Sequence, residues 1–151
     1  MRREAKPLFL GFTKYQWLVL VACWLGWGFD VFDALLFNYV ARLCIPALLG
    51  PDGSSPQAVT HWTGIITSIL LVGWAVGGIF FGRITDRIGR SRALLVTMLT
   101  YAFATAACAA AQNIWQLIGF RFIASLGIGG EWAAGASLVA ETVPEDKRVH
   151  G

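Results

Sequence analysis

The stretch GRITDRIGRSR, residues 82–92, decides the fold of this chain. It carries four arginines and one aspartate in a single short run. Residues 62–82 on its N-terminal side and residues 93–111 on its C-terminal side contain no formal charge. Either flank, folded as a helix, is long enough to cross a hydrocarbon core of about 30 Å. A short basic loop between two spanning helices predicts a membrane protein that keeps this loop in the cytosol.

The composition is that of a membrane protein with several spans. Of the 151 residues, 56% are hydrophobic, and the mean hydropathy is +0.61, which is high for a soluble domain. The net charge of +3 does not indicate a nucleic-acid partner, because the basic residues fall in the loops. Three widely separated cysteines, Cys23, Cys44 and Cys108, form neither a disulfide framework nor a metal site. We therefore expect no metal and no cofactor.

Four apolar segments are predicted to span the lipid bilayer. We expect a cytosolic arm, four transmembrane helices and the start of a further loop or helix over residues 1–14, 15–143 and 144–151. The helices are placed at about 15–41, 62–82, 93–111 and 114–143. Ser55 followed by Pro56 is a helix-start signal, and Asn113 is suited to cap the fourth helix. No soluble domain follows, so we expect an N-terminal fragment whose partners are the missing C-terminal helices of the same protein.

The distribution of lysine and arginine predicts the orientation. Ten basic residues fall on one side of the predicted spans, against Arg42 on the other and Arg121 within a span. The ten are Arg2, Arg3, Lys6, Lys14, Arg83, Arg87, Arg90, Arg92, Lys147 and Arg148. Because cytosolic loops carry the excess of basic residues, both ends of this chain are expected in the cytosol. Gly53 is then expected outside and Gly89 inside.

Four ionisable residues, Asp30, Asp33, Arg121 and Glu131, fall inside the predicted spans. A charge at the bilayer centre costs about 2.5–3.5 kcal/mol on insertion scales, so these residues should face the bundle interior and have partners. Counted along the helices from the outer surface, Asp33 lies at a depth of about 12 Å and Arg121 at about 10 Å. This similarity of depth predicts that the two meet, either as part of a proton-coupled mechanism or as a static ion pair.

The spacing Gly82-x-x-x-Asp86-Arg87-x-Gly89-Arg90 resembles the loop signature between the second and third helices of the major facilitator superfamily. That signature ends on two basic residues, whereas Ser91 here replaces the second of them. Any tight cytosolic loop can carry arginine and glycine, so the flanking spans are needed for the match. Three further motifs resemble the same superfamily: Arg121 with Gly127-x-Gly129, Glu141-x-x-Pro144-x-x-x-Arg148, and Asp30-x-x-Asp33 with Gly130-Glu131-Trp132. The last is similar to its metabolite:proton symporters, which include sialic acid and carboxylate carriers.

The resemblance implies an all-α transmembrane fold, of which this chain holds the first four of twelve helices. It implies a central substrate cavity and alternating access. It also implies a cytosolic gate made of Gly82, Asp86, Arg87, Gly89, Arg90, Glu141 and Arg148.

The predicted function is secondary active transport, in which protons drive symport of a small organic anion of the carboxylate or sialic acid type. Arg121 would attract the anion or control the charge of Asp33, and Asp30, Asp33 and Glu131 are the proton-coupling candidates. The expected location is the plasma (inner) membrane, with several spans and a cytosolic N-terminus. The expected partners are a small-molecule substrate, protons and lipid.

Other functions fit parts of the pattern. A sugar carrier or an uncoupled facilitator of the same superfamily would share the loop signature. A four-helix membrane scaffold that transports nothing would not need four ionisable residues inside its spans. No enzymatic activity is expected, because there is no metalloprotease motif and no nucleophile with its base, and both His61 and His150 lie in predicted loops.

Overall fold

A computed structural model describes residues 12–53 and 55–143 as four long α-helices with short connections. The helices are α1 (Lys14–Leu49), α2 (Pro56–Ile88), α3 (Arg90–Cys108) and α4 (Ile114–Thr142), and a short 3₁₀ helix covers Gly50–Gly53. Each of the four is long and apolar enough to cross a membrane. The predicted all-α transmembrane fold class is therefore confirmed.

Local signals in the sequence determine where three of the helices begin. Thr13 and Gln16 form a capping box, in which each side chain accepts the backbone N–H of the other, at 3.3 and 2.8 Å. Ser55 caps α2 with Pro56 at the first helical position, and Asn113 caps α4 by accepting a backbone N–H at 2.9 Å. The predicted helix starts at Ser55–Pro56 and at Asn113 are confirmed.

Helices α1 and α2 extend into the segment 44–61, which the sequence suggested was a loop. Helix α1 continues to Leu49 although Pro46 lies inside it, and α2 already begins at Pro56. Proline in a helix removes one backbone hydrogen bond and therefore disfavours a continuous helix at this position. The turn persists because Ile45 is fully buried in an apolar cluster with residues of α2 and α4, among them Ile66 and Leu117.

The turn between α2 and α3 is a single residue. Gly89 has φ +89° and serves as the C-cap of α2 and the N-cap of α3, with its N–H donated to the Thr85 carbonyl at 3.0 Å. A side chain rarely adopts this backbone conformation, so glycine is the residue that lets the chain reverse here without a loop. At the other end of α3, the helix stops at Cys108, and Ala109 to Ala111 form tight turns that bond three residues back.

Helix α4 lies at the centre of the bundle, and glycine brings its neighbours close. A methyl group added at Gly77 of α2 would lie 2.6 Å from Cα of Leu126. On α4, a methyl group at Gly129 would lie 2.7 Å from the backbone nitrogen of Gly78. Small residues allow such backbone contact between helices in lipid, where van der Waals packing replaces the hydrophobic effect. Gly73 of α2 also faces α4, whereas a methyl group at Gly82 would meet nothing within 4 Å.

Candidate functional site

The predicted partners Asp33 and Arg121 meet between α1 and α4. Oδ2 of Asp33 accepts a hydrogen bond from Nη1 of Arg121 at 2.5 Å, and both side chains are largely buried, at 13% and 7% exposure. The guanidinium carbon of Arg121 also lies 4.2 Å from the ring centroid of Phe37, one helical turn along α1 from Asp33. Nε of Arg121 is buried and has no acceptor among the residues that the structure describes. The arginine therefore keeps a buried donor, Nε, unused beside its ion pair.

Asp30, the second carboxylate of α1, is held by a tryptophan rather than by a cation. It is 3% exposed, and its Oδ2 accepts a hydrogen bond from Nε1 of Trp132 at 3.0 Å. Its Oδ1 is buried and has no partner within residues 12–53 and 55–143. Because a buried carboxylate oxygen without a donor is costly, this atom needs a proton, a ligand or water in a working protein.

An aromatic cluster surrounds this carboxylate. The ring of Trp132 stacks on Trp27, with centroids 5.0 Å apart and planes inclined by 25°. Trp74 of α2 meets the same ring edge to face at 5.5 Å. Helices α1, α2 and α4 thus each contribute one indole ring to the cluster beside Asp30. Such rings present flat apolar faces with a polar N–H at the edge.

Glu131, the fourth ionisable residue, packs against α1 at a glycine. It is 4% exposed, and a methyl group at Gly26 would collide with its carboxylate. The hydrogen bonds and ion pairs of the described residues include none to Glu131. It lies next in sequence to Trp132, so its carboxylate is close to the Asp30 region without sharing a partner with it.

A cavity of about 180 Å³ opens between α1 and α2 in front of α4. Asp30 and Phe37, which belong to the buried groups described above, line this cavity. Asn38, Thr67, Leu70 and Trp74 line it as well. A cavity of about 150 Å³ is known to be large enough to hold a benzene ring. This cavity is therefore the right size for one aromatic ring and carries polar groups at its edge.

The cytosolic-gate residues are only partly brought together. Nε of Arg90 donates to Oε1 of Glu141 at 2.8 Å, and Nη1 of Arg90 lies 3.6 Å from Oδ1 of Asp86. Arg87 stands in the last turn of α2 without an ion pair to a described residue. Gly89 forms the interhelical turn, Gly82 makes no close contact, and Arg148 lies outside the described residues.

Some residues of the site had no signal in the sequence. Thr67 and Asn38 are ordinary polar residues of long apolar helices, and only the rotation of α1 and α2 about their axes brings them to the cavity. Phe37 does have a signal in the sequence, because it lies four residues after Asp33 and therefore on the same face of α1. Within the part of the chain that the structure describes, no three histidine, cysteine or acidic residues are grouped as metal ligands.

Comparison with known proteins adds an independent observation. The family described as "Sugar (and other) transporter" matches residues 17–150. The niacin transporter NiaP of Acinetobacter baylyi is 36% identical over 135 residues, which are 89% of this chain and 29% of that protein. The gallate transporter of Pseudomonas putida is 33% identical over 136 residues, or 90% and 28%. The 4-hydroxybenzoate transporter PcaK of Acinetobacter baylyi is 30% identical over 132 residues, or 87% and 27%.

The chain spans less than a third of the length of these relatives. No solved structure matches it. The matched residues include both members of the buried ion pair and the whole of the segment 82–92.

Proposed function

The chain belongs to the sugar (and other) transporter family of the major facilitator superfamily, and on that premise we propose that it forms the first helices of a transporter for small aromatic carboxylates. The relatives support this substrate class, because niacin, gallate and 4-hydroxybenzoate are each an aromatic ring that carries a carboxyl group. The observation that carries the proposal is the buried Nε of Arg121, which has no acceptor among the described residues. A substrate carboxylate would supply that acceptor through a charge-assisted hydrogen bond.

The surroundings of Arg121 suit the ring of such a substrate. Phe37 stacks on the guanidinium and also lines the cavity beside Trp74. Aromatic side chains bind a flat ring through offset stacking or edge contacts, each about 0.5–1.5 kcal/mol beyond the area buried. A substrate with its carboxylate at Arg121 could therefore place its ring against Phe37 and the neighbouring indoles.

Uptake by the full-length protein in membrane vesicles tests the substrate class. We expect labelled benzoate to be taken up, niacin to compete with it, and glucose not to compete. Arg121→Lys should raise the half-saturation concentration for benzoate by about tenfold or more, because lysine keeps the charge but loses the fixed donor fork. Uptake of labelled glucose together with no uptake of benzoate would favour the sugar carrier, the alternative that the family description supports.

We further propose that the transport is proton-coupled symport. The support is the placement of three carboxylates, Asp30, Asp33 and Glu131, in buried positions of helices that cross the membrane. Buried acidic residues in spanning helices are typical of proton relays in transporters. An uncoupled facilitator would use the same fold without needing these groups to change charge.

The orientation of the chain in the membrane and the cytosolic gate both depend on residues 82–92. In the plasma membrane, the basic segment 82–92 and the N-terminus would both face the cytosol. The contacts of Arg90 with Asp86 and Glu141 would close the cytosolic side. All three side chains are partly exposed, with exposures of 31%, 70% and 56%, so the pairs add little to folding. Their loss would then change the balance between inward-open and outward-open states rather than the amount of folded protein.

One labelling experiment in the full-length protein, with the native cysteines removed, tests both points. Gln57→Cys, at an exposed site of α2, should react with an impermeant thiol reagent only from outside the cell. Ser137→Cys, one turn before Glu141 on the same face of α4, should react from the cytosolic side. Adding Asp86→Asn or Glu141→Gln should raise that cytosolic reaction about two- to fivefold, the effect of weakening an exposed ion pair.

The matched control for this experiment is Arg92→Gln. Arg92 lies in the first turn of α3, two residues after Arg90, and has no ion pair with residues 12–53 or 55–143, so its replacement should leave the labelling of Ser137→Cys unchanged. Labelling of Gln57→Cys from the cytosolic side alone would reverse the orientation. An equal response to Arg92→Gln and Asp86→Asn would remove the gate role of the ion pairs.

A further inference from the structure

Thr67 differs from the other hydroxyl residues of α2. The hydroxyls of Thr60, Thr63 and Ser68 each donate to the backbone carbonyl four residues earlier, at 2.7–2.9 Å. Thr67 makes no such bond, and none of the hydrogen bonds of the described residues involves its side chain. Hydroxyl groups in spanning helices usually donate a hydrogen bond to a backbone carbonyl of their own helix. The free hydroxyl of Thr67 is therefore available to a ligand.

Two residues that each carry an unsatisfied polar group line the same cavity. Thr67 on α2 and Asp30 on α1 both line the space of about 180 Å³ between these helices. Oδ2 of Asp30 is occupied by Trp132, which leaves Oδ1 as an acceptor without a donor in the described part of the chain. Oδ1 is covered in this conformation, whereas Thr67 is exposed, so an entering ligand would meet Thr67 first.

The chemistry of the pair indicates what the ligand should carry. A carboxylate oxygen can only accept, and the threonine hydroxyl can both donate and accept. A group that donates one hydrogen bond and accepts another would satisfy both residues, and a hydroxyl group on a ring has this property. The remaining walls are apolar or aromatic, namely Phe37, Leu70 and Trp74, and they suit the ring rather than a second charge.

We propose that Asp30 and Thr67 form a subsite for the ring hydroxyl of a hydroxylated aromatic carboxylate, so that this transporter prefers hydroxylated acids to unsubstituted ones. The proposal rests on the proposed function, in which Arg121 holds the carboxylate. Asp30 and Asp33 lie about 4.5 Å apart along α1, since each residue of a helix rises 1.5 Å. A single ring can therefore place its carboxylate beside the Asp33–Arg121 pair and its hydroxyl beside Asp30.

Selectivity of the full-length protein in vesicles tests the subsite. The half-saturation concentrations of 3-hydroxybenzoate and 4-hydroxybenzoate are each measured against that of benzoate. Thr67→Val, which has the same shape without the hydroxyl, should raise at least one hydroxybenzoate-to-benzoate ratio about tenfold, because a hydrogen bond in a partly buried site is lost. Thr67→Ser, which restores a hydroxyl, should return the ratio towards that of the wild type.

Thr63→Val is the matched control. It removes a hydroxyl one turn earlier in the same helix, which bonds to the Val59 carbonyl at 2.7 Å, and it should leave both ratios unchanged. Unchanged ratios in Thr67→Val, or an equal rise for all three acids, would overturn the subsite. If the wild type takes up benzoate but shows no preference for either hydroxybenzoate, the subsite fails and the proposed function stands. If it takes up none of the three acids, the proposed function fails, and the subsite fails with it.

Discussion

Replacing Asp33 by asparagine in the full-length protein is expected to abolish pH-driven accumulation of the substrate while leaving substrate exchange across the membrane intact. Asparagine resembles a carboxyl group that is permanently protonated, so a carrier that needs Asp33 to release its proton could still alternate with substrate bound. It could not use the proton gradient to move substrate uphill. Accumulation and exchange are measured separately in vesicles, with and without an imposed pH difference, and the amount of protein in the membrane is measured alongside.

The geometry of the pair defines the competing outcome. Asp33 is bonded to Arg121 at 2.5 Å, and both side chains are mostly buried. If the aspartate served only to balance the arginine, Asp33→Asn would leave an unpaired buried charge. Breaking a buried pair in this way costs about 3–5 kcal/mol. Folding and membrane delivery would then fall, and the added change Arg121→Gln would restore them, because no charge would remain in the site.

Glu131→Gln provides the matched comparison. Glu131 is as buried as Asp30, but it has no ion pair among the described residues, so its neutral replacement leaves no cation unpaired. The membrane level of Glu131→Gln should equal that of the wild type. Normal pH-driven accumulation by both Asp33→Asn and Asp30→Asn would exclude the carboxylates of α1 from coupling and leave Glu131 as the remaining candidate.

The sequence predicted the fold and the main ion pair because both depend on quantities that residue order determines. The uncharged runs on either side of residues 82–92 fix the spans, since charge is costly in lipid. Depth along a helix follows from residue count, and this placed Asp33 and Arg121 at one level, where the structure pairs them. Roles in coupling or gating do not follow from position and stay predictions.

The residues that the sequence did not reveal depend on how each helix is rotated about its axis. In a soluble protein, an amphipathic stripe shows which face is buried. The spanning helices here are apolar on most faces, so Trp74 and Thr67 could have faced lipid as well as the cavity. Helix α1 also continues past Pro46, because packing of Ile45 between helices stabilises a turn that local propensity disfavours.

The rotation of α2 and α4 about their axes is set instead by the glycines at their contact. Gly129→Ala should lower the stability of the folded protein by roughly 1–3 kcal/mol, the usual cost of overpacking a close contact. The added methyl group would lie 2.7 Å from the Gly78 nitrogen and 2.9 Å from the Trp74 carbonyl carbon, so α2 and α4 would have to move apart. The contacts are to backbone atoms, which no change of rotamer can relieve.

Gly119→Ala on the same helix separates this packing effect from helix propensity. Nothing lies within 4 Å of a methyl group at Gly119, and alanine is favoured over glycine in a helix by about 1 kcal/mol. This control should therefore be as stable as the wild type or more so. The fraction of protein that stays monodisperse in detergent after heating gives the measurement.

Because Trp74 both touches Gly129 and packs on Trp132, Gly129→Ala should also weaken binding of benzoate, whereas Gly119→Ala should not. Equal heat resistance of the two variants would mean that the α2–α4 contact is looser than the backbone distances indicate, and that the indole cluster beside Asp30 is held by other contacts.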